Sequence, residues 1–317
     1  MAEAWTSLHV FHRGGTDRLI VGAVGDLVRS LDADRLLDRF FFLRYWEGGP
    51  HLRLRLRPAD GADVRDRARA ALEKHLEEHP TTERWDPDRY ALTAESLARA
   101  EELPYYDRRL RLADGVEDIP YRPEYAVFGG PEAIDAVERH FTDSSRIALA
   151  VLERTAAPER RLGFALASLM LALTAGEPDH DRVTSALERT RDRWDDPATA
   201  GAGRAAAFAR QRAALTAQAI RCRRIAADPA PDGLTGAWAR SIRTLHHEIR
   251  TLQAAGRFRP APAGSSFHPG AGPHGDRTIL LLRCVHLLCN RLGLSGPQEA
   301  HLRYLTAMTF LDLRESP

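Results

Sequence analysis

Residues 51–57 read His-Leu-Arg-Leu-Arg-Leu-Arg, and this strict alternation constrains the fold more than any other stretch. Successive side chains of a strand point to opposite faces, so Leu52, Leu54 and Leu56 form one face and His51, Arg53, Arg55 and Arg57 the other. Guanidinium groups stay charged and present planar forks that match carboxylates and phosphates. A rigid row of them suits an anion. The competing reading is a solvated edge strand whose charges deter edge-to-edge pairing. Arginine is abundant throughout, and Lys74 is the only lysine, so a cluster has weight by its geometry and not by its count.

Two strands precede this one in pattern. Residues 5–12 are rich in β-formers and end at Gly14-Gly15, after which Thr16 is placed to cap a helix reaching about Leu31. Phe40–Tyr45 reads as a strand, and the turn Trp46-Glu-Gly-Gly-Pro50 joins it to the arginine strand as a hairpin. An amphipathic helix is expected over 63–79, and irregular chain over 84–125, punctuated by Pro87, Pro104, Pro120 and Pro123. Pro131 opens a helix to about His140. Helical spacing then recurs at 146–154, 160–175, 181–193, 204–225, 238–255, 278–293 and 297–313. A Pro/Gly-rich segment spans 256–275. The expectation is an α+β fold: an N-terminal antiparallel sheet with flanking helices over 1–142, then a mainly helical half over 143–317 that completes the site, all in a single domain.

The helix at 278–293 is apolar round most of its circumference, yet Arg283, His286 and Asn290 share one face. Buried polar groups need partners. Either these are structural, with a core histidine bonded to backbone, or His286 is a general acid/base whose ordinary pKa near ~6.5 suits proton transfer. Cys284, His286 and Cys289 do not make a zinc shell, because the cysteines lie on different sides of the helix and no second pair exists. Ser265 and Ser266 have no activating neighbour in sequence, and Gly129-Gly130 lacks a dinucleotide fingerprint. No metal or cofactor is expected.

A net charge of +1 gives no global field for nucleic acid. Three cysteines are too few for a disulfide framework, and no signal-peptide pattern or bilayer-length apolar run is seen. The expectation is a soluble cytoplasmic protein that contacts neither nucleic acid nor membrane.

The block Phe40-Phe-Phe-Leu-Arg-Tyr-Trp-Glu-Gly-Gly-Pro-His-Leu-Arg-Leu-Arg-Leu56 resembles the start of the C-terminal elimination domain of class I lanthipeptide dehydratases and their thiopeptide-type relatives. Tyr121–Glu124 running into Phe128-Gly-Gly-Pro131, then Phe141–Ser145, then His286–Leu294 resemble later segments of that family, in the same order. The chain looks like a stand-alone version without the glutamylation domain. The resemblance implies a cofactor-free lyase that expels glutamate from O-glutamyl Ser/Thr of a precursor peptide, giving dehydroalanine or dehydrobutyrine. It also implies a partner that glutamylates from glutamyl-tRNA, and it leaves a homodimer open. By matching motif, the family's catalytic arginines fall on Arg53 and Arg55 and its histidine on His286. An arginine present in many fused dehydratases falls on Val127, for which Arg44 and Arg122 are candidate substitutes. His51, Arg283 and Asn290 complete the substrate-binding candidates. The resemblance extends to pyridine synthases, which join two dehydroalanines in a formal [4+2] aza-cycloaddition and expel the leader peptide. A third reading is a module that only binds the leader, by strand addition at a sheet edge.

Overall fold

The computed structural model describes residues 5–60, 62–81, 85–100, 105–176, 183, 197–260 and 273–315. The chain forms two compact units, Met1–Arg122 and Pro123–Pro317. The fold is α+β, with one small antiparallel sheet in the first unit and helices in the second.

In the first unit, β1 (Thr6–Phe11), β2 (Leu37–Tyr45), β3 (His51–Pro58) and β4 (Gly115–Asp118) make one sheet in the order β2-β3-β1-β4. The arginine strand β3 is therefore central, which removes the solvated-edge reading. Arg53 stands opposite His9 on one side and Leu43 on the other. Arg55 stands opposite Ser7 and Phe41. The alternation thus extends across the sheet. Leu8, Val10, Phe40, Phe42, Leu52, Leu54 and Leu56 share one face and are wholly buried. Each such side chain contributes about 1.5–3 kcal/mol relative to exposure.

That apolar face is covered by helices. A helical run comprises α1 (Thr16–Arg18), a π-helical stretch (Leu19–Val24) and α2 (Gly25–Ala33), and α3 (Arg65–Glu78) packs beside it. Thr16 does not cap this run as the sequence suggests. Gly15 occupies the cap with no side-chain bond, and the Thr16 hydroxyl instead accepts a hydrogen bond from Arg44. The stretch 84–125 is more regular than its prolines imply. Pro87 opens α4 (Pro87–Ala100), which buries Tyr90, Ala94 and Ala98, and β4 adds four residues to the sheet. Gly-Val-Glu-Asp carries no apolar/polar alternation that would mark it as a strand.

The second unit contains α5 (Pro131–Arg154), α6 (Pro158–Gly176), α7 (Pro197–Ala227), α8 (Gly233–Ala254), α9 (Pro273–Leu292) and α10 (Gly296–Glu315). Helix α6 is central and packs on α7, α8, α9 and α10. The break expected after His140 is absent, and α5 runs through it. Ser, Thr and Asp there lose the option of competing with the helix backbone because each finds another partner. Thr142 bonds back to the Glu138 carbonyl, Ser144 and Ser145 accept from Arg291, and Asp143 accepts from Ser241. The helix expected at 181–193, most of the segment 256–275 and both Ser265 and Ser266 lie outside the described residues. Among the described residues no helix is long and apolar enough to cross a membrane.

Leu54→Ala should lower the unfolding free energy by about 2–5 kcal/mol, because it opens a cavity under a central strand. Leu92→Ala on α4, where the side chain is 72% exposed, should cost less than about 0.5 kcal/mol. Urea denaturation of both variants checks this, and equal effects would contradict the assigned core face.

Candidate functional site

The polar face of the sheet is buried at His51 and Arg55 and partly exposed at Arg53 and Arg57. Arg55 is 6% exposed and His51 1%. Trp5, Phe41 and Tyr121 form an edge-to-face cluster on this face, with ring centroids 5.2–5.7 Å apart. The Arg55 guanidinium lies 5.5 Å from the Tyr121 ring. One Arg55 nitrogen donates to His9 Nε2 at 3.0 Å and another to the Leu54 carbonyl at 3.3 Å. Among the described residues no carboxylate pairs with it. Arg53 donates through Nε to His51 Nε2 at 3.3 Å, reaches Glu47 at 3.4 Å and lies over the Tyr45 ring.

The hairpin turn sets this arrangement. Gly48 and Gly49 have φ of 75° and 115°, a region that other residues enter only with strain. The backbone N–H of Gly49 donates to Tyr90, and its carbonyl accepts from His51 Nδ1 at 3.0 Å. With Nδ1 donating, His51 Nε2 is left as the acceptor for Arg53. Both ring nitrogens of His51 are engaged within the chain, so the ring aligns Arg53 and offers no atom to a ligand. Burial and the neighbouring arginines hold both imidazoles neutral. Burial first, then Arg55, pushes His9 down to about 2. Burial outweighs the bond to Gly49 and brings His51 to about 4. Burial and then Arg53 bring Arg55 down to about 10, still charged near neutrality.

The other candidates on this unit are placed differently. Arg44 pairs with Leu52 in the register, so it lies on the opposite face from Arg53 and Arg55, and it is ion-paired with Asp17 at 2.5 Å. Arg122 is exposed in irregular chain after Tyr121.

On the second unit, α9 is less enclosed than its sequence implies. Leu280, Leu281, Cys284, Val285, Leu288, Cys289 and Leu292 are buried, but His286 has half its side-chain surface exposed. Its Nδ1 is 2.7 Å from Glu299 Oε2. The other carboxylate oxygen of Glu299, on α10, pairs with Arg303. Burial would raise the Glu299 carboxyl, but the hydrogen bond from His286 and the charge of Arg303 overcome it and hold the group below its ordinary value. The Glu299 carboxylate accepts a hydrogen bond from Nδ1–H, which puts the ring proton there and leaves Nε2 as the ring's acceptor. Sequence reading missed Glu299. Its only signal is that it follows the motif histidine in the first turn of the next helix, a contact that only packing creates.

Arg283 is half-buried and donates to the Val127 carbonyl, so a cation from α9 reaches the segment before the Gly-Gly turn. Asn290 is half-buried on the same helix. Cys284 and Cys289 are buried, with their thiols pushed up by burial, Cys284 to about 12. Deeper in the unit, Arg291 is fully buried against Ser144, Ser145 and Phe141, and His140 Nδ1 contacts Ser241 at 2.9 Å. Burial pushes His140 down to about 3.

Over residues 5–310 the sequence matches the family described as lantibiotic biosynthesis dehydratase C-term. The chain belongs to this family. Among solved structures it is similar to TbtD, a pyridine synthase from thiomuracin biosynthesis, at 22% identity and a TM-score of 0.76, covering 98% of this chain and 99% of that one. It is similar to TsrL at 17% identity and a TM-score of 0.58, over 98% and 95%. It is also similar to MibB, a tRNA-dependent lantibiotic dehydratase from Microbispora sp. 107891, at 21% identity and a TM-score of 0.56. That match covers 99% of this chain but 29% of MibB. No curated protein matches. The fold is therefore shared with a pyridine synthase and with part of a tRNA-dependent lantibiotic dehydratase.

The buried histidines give this family member a definite acid response. His9, His51 and His140 are neutral when folded and protonate on unfolding below pH ~6.5. The unfolded state then binds more protons. Stability is full above that pH and falls as pH drops, by up to about 1.4 kcal/mol per pH unit for each histidine. Glu299 acts in the same direction only at lower pH, below the ordinary carboxylate value near ~4.3. Urea midpoints should fall clearly from pH 7.5 to pH 5, and a flat profile there would show that these rings protonate in place.

Proposed function

We propose that the protein is a carbon–oxygen lyase that eliminates glutamate from O-glutamyl Ser or Thr of a ribosomally made precursor peptide. The observation that carries this reading is Arg55: a buried guanidinium with no carboxylate partner among the described residues, beside a second arginine on the same strand. The leaving group fits such a seat. Breaking the Cβ–O bond releases glutamate through one carboxylate while it carries a second. A carboxylate leaves unprotonated at neutral pH, so cationic stabilisation matters more than an acid.

In this reading His286, oriented by Glu299, takes the α-proton through Nε2. The electron pair forms the Cα–Cβ double bond and the Cβ–O pair departs with glutamate, received by Arg53 and Arg55. Arg283 and Asn290 are proposed to bind the substrate beside His286. Arg44 and Arg122 have weaker support, given the Asp17 pairing of the first and the exposure of the second. Partners are a precursor peptide and a glutamyl-tRNA-dependent glutamylating protein, a division of labour supported by the match to one part of a tRNA-dependent dehydratase. A single domain and a cytoplasmic location also belong to this reading, which leaves a homodimer open.

A second reading, pyridine synthase, is favoured by Val127, where many fused dehydratases carry an arginine, and by the nearly full-length match in both chains to TbtD. The two differ in substrate. Incubation with a glutamylated precursor should release one glutamate per new alkene, read by mass. Arg55→Gln and His286→Gln should each cut that rate about 10²-fold or more. No glutamate release, with conversion of a multiply dehydrated peptide to a pyridine and free leader, would replace the lyase by the synthase.

A further inference from the structure

We propose that His9 is a positioning residue: it fixes the Arg55 guanidinium while leaving that positive charge uncompensated for an incoming carboxylate. The inference rests on the reading of Arg55 as the seat of a carboxylate-bearing leaving group.

A buried guanidinium needs acceptors, and each kind has a different consequence. A carboxylate would hold the fork and neutralise it, so a substrate anion would have to displace a resident one. An apolar neighbour would leave buried N–H groups unsatisfied, at a cost of about 1–3 kcal/mol, and the fork free to turn. A neutral imidazole accepts the bond and leaves the charge in place. His9 Nε2 does this at 3.0 Å from Arg55 Nη2. Because Nε2 accepts, the ring proton is on Nδ1.

The surroundings hold His9 in that role. Its ring stacks on His51, with centroids 4.9 Å apart and planes 21° apart. His51 is in turn fixed by the Gly49 carbonyl and by Arg53. The hairpin turn therefore orients both guanidinium groups through two neutral rings. The carboxylate directly across the ladder from His9 is Glu117, and it is taken by Arg111 at 2.9 and 3.2 Å. Arg55 is thereby left to the imidazole. The depressed basicity of His9 agrees, since burial and the Arg55 charge disfavour protonation of the ring and keep it an acceptor.

The test is isothermal titration of the full chain with L-glutamate, comparing wild type with His9→Gln, His9→Phe, His9→Glu and Arg55→Gln. His9→Gln keeps a neutral acceptor and should bind within about threefold of wild type. His9→Phe keeps the stack, removes the acceptor and should weaken binding about tenfold or more. His9→Glu supplies a resident carboxylate and should weaken it as far as Arg55→Gln does. With glutamylated peptide, His9→Phe should lower kcat with little change in KM, because the bond matters most as charge builds on the leaving oxygen. Wild-type affinity in His9→Phe or in His9→Glu overturns the inference; if the first fails to fold, the second decides alone. Absence of glutamate binding by the wild type also overturns it. The ordered series of affinities without elimination by the wild type would remove the lyase reading and leave the positioning role intact.

Discussion

A charged side chain on the central strand of a small sheet, buried with no counter-charge among the described residues, is the constraint around which the first unit is arranged. Arg55 cannot be enclosed cheaply, since desolvating a cation costs several kcal/mol unless its donors are met. The sheet meets them with neutral groups: His9 and a backbone carbonyl. Aromatic rings supply the rest of the enclosure, and ring faces favour cations without neutralising them. What results is a packed polar layer in which the Arg55 guanidinium keeps its charge. The leucines on the reverse face make this possible, because their burial anchors the strand that carries the arginines.

The same economy appears in the second unit, with charge of the opposite sign. Glu299 is nearly enclosed, yet it remains ionised because Arg303 and His286 address its two oxygens separately. A carboxylate held in this way orients an imidazole while the imidazole itself reaches solvent. The exposed position of His286 is therefore compatible with proton transfer, which a fully enclosed histidine such as His140 does not offer.

Much of the fold was legible in one dimension. The hairpin, the helix after Gly15 and most C-terminal helices followed from alternation, helical spacing, glycines and prolines. The failures share a cause. Prolines over 84–125 suggest irregular chain, whereas Pro87 begins a helix and Gly115–Asp118 joins the sheet as a short strand. The helix expected to end near His140 runs on to Arg154, and the side chains of Thr142–Ser145 are bonded to Ser241, Arg291 and the helix backbone. Local patterns cannot reveal partners about a hundred residues away.

By itself the sequence determined which residue types stand on which face: leucine against arginine along 51–57, and histidine among leucines along 278–293. Those assignments depend only on side-chain periodicity, which is local. Tertiary structure alone decided that the arginine strand is central and enclosed, that Arg44 belongs to the opposite face, that His9 meets Arg55, and that Glu299 meets His286. Strand order and helix packing join segments distant in the chain, and the protonation state of a buried group depends on everything around it.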